Sequence, residues 1–273
     1  MPYIFTSFLA CAIYALTGYL FGRRLFHDRT KPFHEGGMTR GKIIAIGLIA
    51  VILHATSLYH NLVVHDGLNL GFFNAISLIA WIMALILLFS ICTIPVESLG
   101  VFIFPMTAIA VGLEMIFPEH HIIITTHEID LKLHILISIV AYSLFGLAAI
   151  HTLLLSLQEK HLRQKQPGGF IRSLPPLQTM ETLLFQMIAI GLVFLTISLI
   201  TGALFLENIF EQHVAHKTIL SIIAWLVFAT LLWGRWQFGW RGKKAIRWTW
   251  AGLIVLMLAY LGSKWVAEII LGH

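Results

Sequence analysis

The sequence predicts an all-α polytopic membrane protein, a bundle of about eight transmembrane helices with both termini external, forming a single transmembrane domain over residues 1–273. Three observations predict it. The chain is 58% hydrophobic and only 11% charged, whereas soluble domains carry about 25% charged residues; mean hydropathy is +0.87. Apolar runs of membrane-crossing length recur at about 3–22, 43–64, 71–93, 99–117, 133–157, 183–206, 218–236 and 248–270, and the gaps of at most about 25 residues leave no room for a separate soluble domain. Finally, of the 18 lysines and arginines, all but Lys132, Lys217 and Lys264 fall in the loops after spans 1, 5 and 7. Basic residues collect on the cytoplasmic side, which puts those loops inside and the termini outside.

Span 1 has no basic residue before it and no small-residue cleavage site behind it, so it reads as a retained span and not as a secretory signal. It ends in Gly18-x-x-x-Gly22, a small-residue pair that lets another helix approach closely. The segment Phe26–Lys42, with Pro32 and Gly36-Gly37, is a cytoplasmic loop. Span 2 contains HATSLYHNLVVH, and at about 100° per residue His54, Ser57, Asn61 and His65 share one face while Thr56 and His60 point elsewhere. A polar stripe inside a membrane is expensive unless it is paired or faces a cavity. It therefore marks either a functional site or a neutral imidazole bonded to a neighbouring helix. In span 3, Asn74 and Ser77 are placed to bond to a partner helix, and Trp81 lies too deep to be an interfacial anchor. A short loop at Pro95-Val96-Glu97 joins spans 3 and 4 into a hairpin; Pro105 is expected to kink span 4, and Glu114 falls within a turn of its outer end. The outer loop Pro118–Lys132 gathers Glu119, His120, His121, His127, Glu128 and Asp130. That density suits a divalent metal, and equally a solvated polar loop.

Span 5, LKLHILISIVAYSLFGLAAIHTLLLSLQ, carries His134 and His151 near its two ends, roughly 25 Å apart along a helix axis. Ser138, Ala141, Phe145, Ala148 and Thr152 line up with His134, a stripe of mostly small or weakly polar residues that faces protein and not lipid. Between spans 5 and 6, Pro167-Gly168-Gly169 and Pro175-Pro176 break regular structure. Span 6 closes at Ile200-Thr201-Gly202-Ala203, and the next outer loop, Glu207–Lys217, sets His213 and His216 on one helical face beside Glu207 and Glu211. Span 7 runs into Trp233, Trp236, Trp240, Trp248 and Trp250, an aromatic belt at the cytoplasmic interface. Span 8 carries Tyr260, Gly262 and Glu268, and His273 follows it.

These residues exclude several classes. The basic balance lies along one membrane face, where it meets anionic lipid, and does not imply nucleic-acid binding. Cys11 and Cys92 both fall within spans with no CxxC or CxxCH, which removes thiol-disulfide exchange and covalent haem attachment and leaves two small apolar residues. There is no Walker motif, nucleophile elbow or zinc-protease motif. Histidine is the oddity, with 14 in so apolar a chain. Imidazole is a good axial ligand for haem iron, and a planar macrocycle fits between helices with small facing residues. Spacing alone does not separate that from proton relay or metal transport.

The segments GLNLGFFNAISLIAW at 67–81, LHILISIVAYSLFGLAAIHTLLLSLQ at 133–158, TGA at 201–203, AWLVFATLLWGRWQFGWRGKKAI at 224–246 and LAYLG at 258–262 resemble the haem-handling cytochrome c assembly membrane proteins of the CcsA/CcmC type. Their order and spacing over nearly the whole chain are most similar to the small eight-span YpjD-like inner-membrane branch. The resemblance implies haem presented at the outer surface and ligated by outward-facing histidines. His134 matches one such ligand, and His273 lies close to where the family has another, after the last span. The family's tryptophan-rich outer loop would lie between Gly202 and Ile219, where this chain has no Trp, and the family histidine at the inner end of the span leading to GWRG is replaced by the Trp233-Gly234 region.

The expected function is a haem-binding protein of cytochrome c assembly or haem handling at the outer face of a bacterial inner membrane, without catalysis of its own and with haem b as cofactor. Its partners are the lipid bilayer and other cytochrome assembly proteins. His134 is the first candidate ligand, His216 the candidate for the opposite face of the ring at similar depth, and His273 an alternative; His54 would hold a haem lying deeper, in the span 2 cavity. The alternative is a transporter or metal-homeostasis protein using the outer His/Glu loops.

Overall fold

The computed structural model describes residues 2–27, 38–64, 67–118, 122–124, 129–165, 168–205 and 212–259. Each expected span is represented by a helix: α1 (Pro2–His27), α2 (Arg40–Leu62), α3 (Phe72–Thr93), α4 (Glu97–Ile116), α5 (Ile129–Arg163), α6 (Leu177–Phe205), α7 (Gln212–Phe238) and α8 (Lys243–Met257). Of these, 7 are long and apolar enough to cross a membrane. The helix α8 is the described part of the last apolar span, which runs on outside the described residues. At 35 residues, α5 is about 50 Å long. That exceeds the roughly 30 Å hydrocarbon layer, so its polar end with Lys160, His161 and Arg163 extends past it.

One element is additional to the sequence reading. The end of expected span 2 and segments read as a turn and a loop form a 3-stranded antiparallel sheet of β1 (Val63–Val64), β2 (Gly67–Asn69) and β3 (Ile122–Ile124), with Val63 opposite Leu68 and Asn69 opposite Ile122. Val and Ile favour strands, and pairing satisfies backbone groups next to the apolar layer.

The chain divides into two compact units, Met1–Ile124 with Lys160–Pro176, and Thr125–Glu159 with Leu177–His273. In the first, α1 packs on α4 and α2, and α3 on α4 and α2. The Gly18/Gly22 pair is the seat of α4. A Cβ at Gly18 would stand 2.6 Å from the Pro105 ring, and one at Gly22 would touch Val101 at 3.7 Å. Pro105, which lacks the N–H a helix interior uses, thus lodges against a helix with no side chain at that point. Tyr14 and Phe21 flank Phe104 in stacked contacts at 6.1 and 5.6 Å. Arg40 and Arg24 meet the Glu97 carboxylate at 2.9 and 3.4 Å, tying together the ends of α1, α2 and α4. The short 3-10 helix Gly169–Ser173 lies against α1, with Phe170 edge-on to Phe102 at 5.7 Å.

The second unit is organised on two phenylalanines. Phe145 of α5 and Phe228 of α7 are fully buried and stack at 4.4 Å. Gly191 of α6 covers the outer side of Phe145, and Gly252 of α8 covers that of Phe228; a Cβ at either would come within 3.1 or 2.7 Å of the ring. One line of glycine, ring, ring and glycine therefore crosses four helices, packing in place of the hydrophobic drive that lipid does not supply. Of the stripe predicted on α5, Ala141, Phe145, Ala148 and Thr152 are fully buried and Ser138 partly so, but residues on its other faces such as Ser143 and Leu147 are buried as well.

Candidate functional site

His134 lies in the first turns of α5, half-buried against the last turns of α6. Its Nδ1 is 3.0 Å from Thr201 Oγ1. The Thr201 hydroxyl also lies within reach of two carbonyls of its own helix, Ile197 at 2.9 Å and Ser198 at 3.0 Å. With the hydroxyl proton on either carbonyl, the hydroxyl accepts from the ring, Nδ1 carries the imidazole proton and Nε2 the lone pair. That is the tautomer of a metal-ligating histidine, whose other ring nitrogen donates to a neighbour that fixes its orientation. Gly202 completes the seat, since a Cβ there would lie 3.0 Å from His134 Cε1. One turn on, Ser138 and Ser198 hydroxyls bond at 2.7 Å across the same two helices.

His216 lies in α7, and its side chain is outside the described residues, as is the whole of His273. The acidic and histidine-rich stretch from Glu119 to Glu128 also falls largely outside them. Among the described residues no group of His, Cys, Asp and Glu is arranged to hold a metal ion. His151, at the other end of α5, is fully buried; its Nε2 donates to the Met180 carbonyl at 2.8 Å and its Nδ1 has no hydrogen-bond partner among the described residues.

His54 belongs to the first unit. It is 0% exposed, and both ring nitrogens are engaged: Nε2 with Ser77 Oγ at 2.9 Å and Nδ1 with Tyr14 Oη at 3.4 Å. Beyond Ser77, the Glu114 carboxyl, 4% exposed, accepts from Asn61 Nδ2 at 2.7 Å. Ser57, on the same stripe, bonds Ser7 of α1. On the predicted face of α2, His54 and Ser57 are thus buried and Asn61 partly so, while His65 lies outside the described residues; Thr56 and His60 are exposed as expected. Ser77 does reach a partner helix, whereas Asn74 bonds locally to the Asn69 carbonyl at 3.2 Å. Trp81, too deep for the interface, donates to the Val51 carbonyl of α2 at 2.9 Å.

The family model described as "Cytochrome C assembly protein" matches residues 43–271. The chain belongs to the cytochrome c assembly protein family. It is 30% identical over 238 residues to "Inner membrane protein YpjD" of Escherichia coli (strain K12), covering 86% of this chain and 90% of that one. It is 27% identical over 142 residues to "Cytochrome c biogenesis protein CcsA" of Chlamydomonas reinhardtii, covering 50% of this chain and 38% of that one. Over 87 residues it is 31% identical to the protein of the same name from Microcystis aeruginosa, covering 31% and 26%. No solved structure matches.

In this cytochrome c assembly family member, the short motifs behind the resemblance have definite mechanical work. The TGA at 201–203 supplies the acceptor and the bare backbone that hold His134. The GWRG turn after α7 folds Trp240 back onto Gly234, where any Cβ would overlap the indole. Gly239 and Gly242 take φ of +62° and +59°, the left-handed region that favours glycine. The Gly242 N–H then donates to Glu181 Oε1 at 2.7 Å, Arg235 donates to the Trp240 carbonyl at 3.2 Å, and Lys244 Nζ sits 3.7 Å over the Trp240 ring. Trp240 is therefore a packing residue, while Trp233 and Trp236 are exposed in the manner of a belt. Sequence reasoning missed Tyr14 and the Asn61–Glu114 pair as members of one polar chain. The signal available was the depth of Glu114, which needs a donor inside the protein.

Proposed function

We propose that the protein binds haem at the outer face of a bacterial inner membrane and serves cytochrome c assembly or haem handling, without catalysing a reaction itself. Membership of the cytochrome c assembly family and likeness to an inner membrane protein of Escherichia coli support the setting. The single observation that carries the haem reading is His134, held with Nδ1 donating to Thr201 and Nε2 left as a lone pair at one end of the bundle. The residues fit the group: a neutral imidazole of fixed tautomer is an axial ligand for haem iron, and Gly202 and Ser138 leave its surroundings small and weakly polar. Bound haem would supply an iron centre that an imidazole can ligate. His134 would hold it through its ring nitrogen, Thr201 would orient that ring, and His216 or His273 would be the second ligand residue. His54, with both nitrogens engaged, takes no part in this reading.

The test is the absorption of protein purified from haem-replete cells. The proposal expects a Soret band and haem near one equivalent per chain or per dimer. A colourless preparation whose bound metal follows the metal content of the medium contradicts it and favours metal handling through the outer loops.

A further inference from the structure

In the first unit, α1 to α4 enclose a polar chain that the haem reading does not use. We propose that Glu114 is a proton-binding site and that Ser77 connects it to His54 and Tyr14, so that a proton taken up at one end of α4 is shared with the buried imidazole.

Four features carry this. First, each member is sealed from solvent, with Tyr14, His54 and Ser77 fully buried and Glu114 nearly so. An ionisable side chain inside a membrane protein is expensive to keep unless it is used. Second, the carboxyl is only half satisfied. Asn61 Nδ2 donates to Oε1 at 2.7 Å, while Oε2 has no hydrogen bond of ordinary geometry to a described residue. Third, among the described residues of α1 to α4 no cation is paired with it. The titratable groups in the described chain of contacts are Tyr14 from α1, His54 from α2 and Glu114 itself from α4, with Ser77 from α3; His65, Glu119, His120 and His121 lie outside the described residues. His60 is exposed on another face of α2. The ion pairs formed by Arg24 and Arg40 engage Glu97, at the opposite end of α4. A proton is the counter-charge that such a site can take without a partner side chain.

Fourth, the connection has the right chemistry. Ser77 bonds His54 Nε2 at 2.9 Å; its interaction with the Glu114 carboxyl is the looser one, Oε2 being left without a hydrogen bond among the described residues, and the proposed link closes when that oxygen turns to the Ser77 hydroxyl. A hydroxyl both accepts and donates. The protonated carboxyl gives its proton to Ser77 Oγ as the hydroxyl proton passes to Nε2, and the Nδ1 proton then points at Tyr14 Oη, 3.4 Å away. Acid plus neutral imidazole becomes carboxylate plus imidazolium, Ser77 keeps one proton, and the net charge is unchanged. Along the helix axes the chain starts about 3 Å from the end of α4 and reaches about 12 Å from the end of α2, so it extends well into the membrane layer and stops there.

Infrared difference spectroscopy of the full-length protein in lipid vesicles, stepped between acidic and alkaline pH in H2O and in D2O, reads the site directly. The proposal expects a protonated-carboxyl C=O band that appears at low pH, shifts in D2O and is lost in Glu114→Gln, which keeps an acceptor for Asn61 and nearly the same volume. Ser77→Ala and His54→Gln should each move both the band frequency and its midpoint, because each removes a proton partner. No pH-dependent carboxyl band, or one that survives Glu114→Gln, overturns the proton site. A Glu114 band unchanged by Ser77→Ala and by His54→Gln overturns the connection. A band that responds to sodium at fixed pH, and not to pH, also contradicts the proposal.

Discussion

At the scale of single residues, the haem reading depends on which nitrogen of His134 carries the proton. Thr201 sets it in this reading: with its hydroxyl proton on a carbonyl of its own helix, a lone pair remains for the ring. Replacing Thr201 by Val keeps the shape and removes the acceptor. Such hydrogen bonds between membrane helices are worth only about 0.6 kcal/mol, so the variant should fold and express normally. Its haem spectrum should shift or lose occupancy, by the 10–100-fold typical of losing a supporting partner of a ligand, or roughly that order. Thr201→Ser should restore the wild-type spectrum in the same titration with haem. A Val variant spectrally identical to wild type would remove Thr201 from the site.

At the scale of elements, the glycines separate packing from mere tolerance. Gly18 faces the Pro105 ring and Gly252 faces Phe228, each with a hypothetical Cβ under 3 Å from the nearest ring atom, whereas Gly112 meets nothing within 4 Å. Overpacking a tight contact costs about 1–3 kcal/mol, while Gly→Ala at an open helical position gains up to about 1 kcal/mol. Thermal melts in detergent should therefore place Gly18→Ala and Gly252→Ala below wild type and Gly112→Ala level with it or above. Some of this was legible beforehand. Gly18-x-x-x-Gly22 and the stripe on α5 announce contact faces by spacing. Their partners do not follow from spacing, because nothing local to Gly18 names Pro105, and nothing local to Phe145 names Gly191 and Phe228. The sheet was illegible for a related reason: Val63-Val64 and Ile122–Ile124 are too short to show a period, and each forms a strand only because it pairs with Gly67–Asn69 between them.

At the scale of the whole molecule, length, hydropathy and the side preference of basic residues suffice to give a polytopic helical protein, because lipid removes most other ways of satisfying a backbone. Orientation is the part that composition predicts and packing does not test. Reporter fusions after Lys160 and after Glu211 should read inside and outside respectively, and the reverse at either point would discard the topology. The candidate site was legible one residue at a time. His134 stood out by its place at the mouth of a span, and TGA by its likeness to the family, yet their meeting in space is a tertiary fact separated by 67 positions. Likewise His54 was visible as a polar residue on a buried stripe, but its engagement by Tyr14 and Ser77 depends on α1 and α3, which spacing does not show.

The central claim, that haem is held by His134, is tested most directly by the ultraviolet-visible spectrum of His134→Ala purified beside wild type at equal expression. The claim predicts that the Soret band is abolished or shifted in His134→Ala, weakened in His216→Ala and unchanged in His120→Ala. A wild-type spectrum in His134→Ala would contradict it, and a spectrum lost only on His54→Ala would move the haem into the first unit.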